Sequence, residues 1–341
     1  MSAEKNFWYI FAESAELKKD KPLKRKILGE NLVGFRDKNG KAIILLDYCL
    51  HRSGKLSEGW IENGCLVCPF HGWKYNNEAK VCRIPAEGNE SKLLKKDLKA
   101  KKFLVEEKQG YIYVCLSEQV LPQNKPFDYP YYQNTNWATV RFKNLFENNV
   151  INCVENFIDV PHTVFVHPGI FRSEKGQKIE AIIESKNGKV YINYQNENSI
   201  SNFNWFFNSS KQQIKHTDIF ITPNITNVNY KVLNNCQYII TSQSVPVDEW
   251  QTMVYTDISY NFGLLTQIAK PIVQNQAEQV LRQDLKILKE QAENIKQFKK
   301  KFIDTEADLI HTLISELRDK TIAGENISEL PEIKTKISFY I

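Results

Sequence analysis

The sequence predicts an α+β chain: a mostly β N-terminal region, then an antiparallel sheet that ends in helices. Three observations carry this. Asn39-Gly40, Asn63-Gly64 and Asn187-Gly188 each lie between apolar or alternating runs, the signature of a tight β-hairpin. Pro122, Pro126 and Pro130 punctuate a stretch rich in Gln, Asn and Tyr, which reads as a linker or domain edge. From about Ile272 the apolar spacing becomes helical.

Taken in order, the first hairpin joins Leu32–Phe35 to Ala42–Leu46, and the second runs into Cys65–Cys68. Another strand pair falls at Phe103–Glu107 and Tyr111–Leu116. Residues 1–120 are expected to form one domain and 121–341 a second. In the second, Val154–His167 reads as a short helical segment. Strands follow through Lys178–Tyr194, His216–Tyr230, Gln237–Val247 and Gln251–Phe262. A long helix is expected from Ile272 to about Phe302. Another runs from Glu306 to Lys320, with Leu309, Ile310, Leu313, Ile314 and Leu317 on one side. Lys334–Ile341 reads as a short strand or an extended arm. Late helices packed on an antiparallel sheet make the second domain α+β.

The 341 residues suit two domains. At 42% apolar and 25% well-mixed charged residues, the chain can build ordinary cores and is not a disordered one. The net charge of +5 is spread along the chain, with no basic block interleaved with aromatics, which argues against nucleic acid. Met1–Ala12 begins polar and turns aromatic, unlike a signal peptide. No apolar run approaches the roughly 20 residues of a membrane span. The expected location is cytoplasmic, where thiols stay reduced. Seven cysteines then serve as metal ligands or core residues.

Two short pairs, Cys49-Leu50-His51 and Cys68-Pro69-Phe70-His71, are separated by sixteen residues. Thiolates suit iron–sulfur clusters and zinc, and imidazole suits zinc and non-haem iron. Two Cys-then-His loop tips facing each other hold a [2Fe-2S] unit, with both sulfurs on one iron and both imidazoles on the other. Neutral ligands on one iron raise the potential relative to an all-cysteine cluster. A zinc site with the same four ligands is the alternative, but zinc motifs space each pair by two to four residues, and Cys49-x-His51 is tighter.

A second constellation follows at His162 and His167. Two histidines with one carboxylate form the facial triad of non-haem iron(II). On a regular helix five residues turn about 500°, so the two rings point about 140° apart. They reach one metal only where the helix loosens or ends between them, and Pro168 disfavours helix at His167. The alternative is a core helix with a stray His pair. The carboxylate comes from the late helix, where Ala277, Leu281, Leu288 and Ile295 share one face and Asp284 falls inside that arc. A bare charge on a buried face is costly unless paired or metal-bound. A buried salt bridge is the competing explanation for Asp284.

Cys49-Leu50-His51-Arg52, with Cys68-Pro69-Phe70-His71-Gly72-Trp73 after it, resembles the Rieske domain of ring-hydroxylating and related oxygenases. It looks less like the respiratory type, which adds a cysteine in each loop where this chain has Arg52-Ser53 and Phe70. Asp159-x2-His162-x4-His167 is similar to the catalytic-domain motif of Rieske non-haem iron oxygenases, and Gln283-Asp284 resembles the family's third-ligand segment. The Glu155 to Asp159 spacing and the modest length look more like the demethylase and monooxygenase branch. The resemblance implies a Rieske [2Fe-2S] domain and a helix-grip-like catalytic domain. It assigns the cluster to Cys49, His51, Cys68 and His71, and mononuclear Fe(II) to His162, His167 and Asp284. It implies a homotrimer in which Asp159 bridges the two centres, accepting from His162 and from His71 of the partner subunit. It further implies a terminal oxygenase, supplied by a separate reductase or ferredoxin. With dioxygen, such a protein hydroxylates, dihydroxylates or demethylates a small organic substrate, aromatic or cyclic. The competing classes are a Rieske electron carrier without oxygenase chemistry and a zinc-stabilised binding module.

No two glycines stand two positions apart, so the dinucleotide fingerprint is absent, which fits an external source of electrons. His216 and His311 read as surface or boundary histidines. Cys82, Cys115, Cys153 and Cys236 read as inert small hydrophobes, Cys65 as a strand residue, and Lys299–Lys301 as a solvated helix end. Phe203–Phe207, with Trp205, is a candidate pocket wall or core segment.

Overall fold

A computed structural model of the chain describes residues 3–88, 91–117, 125–170, 176–195, 214–231 and 236–341. Contacts divide it into two compact units, Lys5–Tyr129 and Pro130–Ile341, the latter joined by residues 3 and 4.

The first unit is built from short antiparallel strands. One sheet runs in the order β1 (Trp8–Glu13), β10 (Tyr111–Cys115), β9 (Leu104–Lys108), and a second β2 (Leu23–Ile27), β3 (Glu30–Arg36), β4 (Ala42–Leu46). The third has four strands in sequence order: β5 (Trp60–Glu62), β6 (Cys65–Val67), β7 (Lys74–Tyr75) and β8 (Val81–Arg83). The Asn-Gly signals work as expected. Asn39-Gly40 joins β3 to β4, and Asn63-Gly64 joins β5 to β6 with both residues at positive φ. Only glycine fits at 64, because a Cβ there would lie 2.2 Å from the Lys38 backbone nitrogen. Val33, Phe35, Leu45, Leu66, Tyr75 and Val81 close the core beneath the β4–β5 and β6–β7 loops.

The second unit is one eight-stranded sheet, antiparallel throughout. Its strands are β11 (Ala138–Phe146), β12 (Lys178–Lys186), β13 (Lys189–Gln195), β14 (Lys215–Ile221), β15 (Ile225–Lys231), β16 (Gln237–Asp248), β17 (Gln251–Asn261) and β18 (Ile333–Tyr340). The order is β11-β17-β16-β15-β14-β13-β12-β18. The tail expected as a strand or arm is therefore an edge strand on β12. Strict alternation of burial along β12, β13 and β14 directs one face inward.

Helices cover that inward face. They are α1 (Val150–Asn156), α2 (His162–Val166), α3 (Lys270–Phe298) and α4 (Leu309–Ala323). Val273 and Ala277 of α3 pack on Val140, Ile258 and Tyr260, while Leu281 and Leu288 reach Phe146 and Val254. At the other end of the sheet, Ile310, Leu313, Ile314 and Leu317 of α4 pack on Ile179, Ile183, Val190 and Ile192. The single helical segment expected over Val154–His167 is in fact two short helices. Phe157–Pro161 interrupts it, and α1 ends where Phe157 caps it. Among the described residues no helix is long and apolar enough to cross a membrane.

Candidate metal centres

The first centre stands on two matching loops. In each, the turn that follows the cysteine, Cys49-x-His51 in one and Cys68-x2-His71 in the other, is closed by a hydrogen bond from the residue four positions on: Ser53 N to Cys49 O at 2.9 Å, and Gly72 N to Cys68 O at 3.0 Å. Both closing residues adopt positive φ, 54° at Ser53 and 69° at Gly72. The loops thus repeat one backbone design, which sets each cysteine inward and each histidine outward. Cys49 and Cys68 are buried and free of disulfide. The His51 ring stacks on Trp73 at 4.9 Å and meets His71 edge-on at 4.6 Å. His71 itself is exposed, beside Phe70.

Electrostatics fit a cluster here. Burial pushes the Cys68 thiol up, while backbone N–H groups of Phe70 and His71 point at its sulfur and favour the thiolate. Tyr75 Oη accepts from Leu50 N at 3.0 Å and lies 3.1 Å from Cys49 Sγ, to which it donates when Cys49 is a thiolate. Burial and the neighbouring thiol hold that phenol well above its ordinary value, so Tyr75 stays a donor. His51 Nδ1 is buried without a hydrogen-bond partner. A buried polar atom left unmatched is costly, and a metal at that nitrogen resolves it.

The second centre lies under the sheet's helical cover. His162 opens α2, and His167 ends it with φ −120° and ψ 56°. That departure from helical geometry lets the two rings converge despite their five-residue spacing. Asp284 reaches them from α3. The donor atoms of His162, His167 and Asp284 all lie within 4.8 Å of one another. Asp284 Oδ1 is 3.0 Å from His167 Nε2 and 3.8 Å from His162 Nε2, yet it is buried with no hydrogen-bond partner. Three donors that converge without bonding each other are the donor set of a metal ion, and two imidazoles with one carboxylate suit non-haem iron.

A surrounding layer fixes the ligands. His167 Nδ1 lies 2.8 Å from Gln283 Oε1, which directs its other nitrogen to Asp284. His162 Nδ1 lies 3.2 Å from Asp159 Oδ2. Burial pulls the His162 ring down, but Asp159, with Asp284 behind it, outweighs burial and holds the ring above its ordinary value. A cavity of about 80 Å³ opens on the inner side of the three ligands. On the outer side, Asp159 and His162 also border a larger groove of about 970 Å³ carrying Glu155, Glu290, Asp304 and Asp308.

Local sequence pointed to the candidate ligands but missed the residues that surround them. Tyr75 and Gln283 act through partners that appear only once the strands and helices assemble. His216 corrects the sequence reading: it is 1% exposed, not a surface or boundary residue. The run Lys215, His216, Thr217, Asp218 looks polar throughout, and only its alternation marks 216 and 218 as one inward face. Cys82 is exposed rather than a small hydrophobe in the core. His311 is partly exposed, near Asp308. Phe203–Phe207 lies outside the described residues.

The fold and these two centres define an iron–sulfur protein with a separate two-histidine, one-carboxylate metal site. Residues 7–103 match the family model described as the Rieske [2Fe-2S] domain. Residues 147–312 match that of the vanillate O-demethylase oxygenase C-terminal domain. The chain belongs to the Rieske non-haem iron oxygenases, on the demethylase and monooxygenase branch. Aminopyrrolnitrin oxygenase PrnD of Pseudomonas fluorescens is 29% identical over 47% of this chain and 45% of its own length. The vanillate O-demethylase oxygenase subunit of Pseudomonas sp. (strain HR199 / DSM 7063) is 29% identical over 51% and 47%. The match thus spans less than half the length of these two curated relatives. The fold is that of dicamba monooxygenase bound to dicamba, with TM-score 0.81 and 20% identity over 94% of this chain and 98% of that one. Pseudomonas putida CBB5 NdmA follows, with TM-score 0.73 and 20% identity over 96% and 98%.

Proposed function

We propose that this chain is the terminal oxygenase of a multi-component system, using dioxygen and externally supplied electrons to hydroxylate, dihydroxylate or demethylate a small organic substrate. The observation that carries this is the convergence of His162, His167 and Asp284 on one point beside a largely apolar cavity. An electron carrier has no use for that arrangement. When bound, the [2Fe-2S] cluster on Cys49, His51, Cys68 and His71 supplies single electrons, and iron(II) on His162, His167 and Asp284 supplies dioxygen activation.

The chain's own residues do the rest. Tyr75 stabilises negative charge on the Cys49 sulfur by hydrogen bonding. His71, exposed at its loop tip, is the ligand that another surface can meet. Asp159 accepts from the His162 backbone N–H at 3.3 Å, stands 3.2 Å from its Nδ1 and borders the outer groove. In a homotrimer, Asp159 accepts from His71 of the partner subunit and joins the two centres. Exposed Arg52 beside His51, against an outer groove rich in carboxylates, supports that docking by charge complementarity. Apolar walls of the inner cavity keep bulk water from the reacting atoms. The reading includes a separate reductase or ferredoxin and a cytoplasmic location.

Incubation with a reducing system, ¹⁸O-labelled dioxygen and a panel of cyclic and methoxylated single-ring compounds tests this. Label in the organic product, or in formaldehyde released by demethylation, is the expected result. One label atom or two separates mono- from dioxygenation. A chain that holds about two irons instead of about three and incorporates no label would be an electron carrier.

A further inference from the structure

Five strands set a row of rings across the inward face of the sheet. His216 on β14 is registered against Tyr230 on β15, Tyr230 against Tyr238 on β16, and Tyr238 against Tyr260 on β17. On the other side His216 stacks on Tyr194 of β13, with centroids 4.3 Å apart, and on Tyr230 it stacks at 4.2 Å. The next row along reads Ile192, Asp218, Val228, Ile240 and Ile258. Asp218 is thus one carboxylate in an apolar row, and His216 is one imidazole among tyrosines. Both are 1% exposed. His216 Nε2 lies 2.9 Å from Asp218 Oδ1. A carboxylate only accepts, so Nε2 donates.

Stability does not explain this pair. Buried ion pairs add little over well-packed hydrophobic residues of similar volume, and often less than nothing. Phe and Leu would continue both rows. Position does explain it: His216 and Asp218 line the same cavity as His162, His167 and Asp284. Ligand sites are mostly apolar, with a few placed polar groups that fix orientation, and the rest of this wall includes Val228, Ile240, Ile258 and Leu281. A water needs about 10–15 Å³ of such volume, so a cavity of about 80 Å³ suits a single ring. Among the described lining residues there is no Lys or Arg, while Asp159, Asp218 and Asp284 all border the space. With Asp284 taken up by iron(II), Asp218 still puts negative charge on the wall beside the proposed hydrogen-bonding position, and an anionic substituent there meets like charge.

We propose that His216 and Asp218 are the specificity-determining pair of this cavity, which takes an uncharged single-ring molecule whose hydroxyl donates a hydrogen bond to the Asp218 carboxylate. The inference rests on reading the cavity as the place where substrate meets the iron site. The ring packs against the apolar wall, and its oxygen fixes which carbon faces the ligands.

Binding tests this without turnover. Toluene, benzyl alcohol and benzoate share one ring and differ in the substituent. Each is titrated anaerobically into the holoenzyme, with affinity read by ligand-observed NMR. Benzyl alcohol is expected to bind about 10-fold tighter than toluene, the worth of one buried hydrogen bond, and tighter than benzoate. In His216→Phe/Asp218→Leu, which keeps both rows packed, that advantage disappears while toluene stays within about twofold. Asp218→Asn, which keeps the size, reduces the advantage and spares toluene. Benzoate binding tightest, benzyl alcohol no better than toluene, or an advantage that survives the double variant would overturn the proposal. The wild-type ranking decides by itself if the double variant does not fold. Iron and sulfide assayed on the same samples report separately on the oxygenase reading.

Discussion

Asp284 Oδ1 stands 3.0 Å from His167 Nε2, and the two make no hydrogen bond. Their geometry leaves a place for a third participant. A carboxylate oxygen left without a hydrogen-bond partner in a residue buried at 3% exposure costs the metal-free fold roughly 1–3 kcal/mol. Iron removal should therefore lower the unfolding midpoint of the second unit. Ferrous iron at about 100 times its dissociation constant should restore about 2.7 kcal/mol, read by calorimetry. An unfolding curve indifferent to iron would contradict this.

Gln283 fixes His167 from behind at 2.8 Å. Gln283→Leu removes that hydrogen bond and frees the ring to turn. Iron affinity at the mononuclear site should fall about 10- to 100-fold, while the visible spectrum of the cluster stays unchanged. Loss of the cluster spectrum along with the iron would mean general misfolding.

Tyr75→Phe deletes the donor to the Cys49 sulfur. A hydrogen bond to a cluster sulfur favours the more negative, reduced state. Its removal should lower the midpoint potential by about 40 mV, the equivalent of about 1 kcal/mol for one electron. Protein-film voltammetry reads the shift, and an unchanged or raised potential would contradict it.

Asp159→Asn keeps the size of a group that holds His162 at 3.2 Å but removes its charge. Both metal centres should load normally. Product formation should fall about 10- to 100-fold, the usual cost of losing a group that positions a metal-bound imidazole. Full turnover in this variant would remove the bridging role.

The candidate cluster residues stood out in the sequence because both loops are local: each Cys and His lies within four residues of its partner. Asp284 was legible for another reason. It interrupts an apolar stripe on α3, and helical periodicity exposes such interruptions however far the partners lie in sequence. His216 and Asp218 were not legible, because strand alternation names a face but not what lies opposite. Their meaning depends on Tyr194, Tyr230 and Val228, which only the sheet register brings alongside. The break at Phe157–Pro161 was half legible: the His162 to His167 spacing required the helix to end or loosen, but not where.

Arg36 grips Glu107 through two bonds of 2.9 Å, and that hydrogen bond holds the Glu107 carboxyl below its ordinary value of 4.5 against the opposing effect of burial. A depressed carboxylate contributes stability above its unfolded pKa and loses it as pH falls through the folded one. Glu107→Gln should therefore cost the first unit about 1 kcal/mol at neutral pH, given partial exposure. The difference from wild type should shrink as pH drops below about 4.5. A gap that widens in acid would contradict the sign.

The central claim is two distinct iron centres on one chain. The most direct test is iron, zinc and acid-labile sulfide measured side by side on anaerobically purified wild type and Asp284→Ala. The account predicts about two sulfides in both, with about three irons in wild type and about two in the variant. Zinc without sulfide in wild type, or a third iron that survives the loss of Asp284, would contradict it.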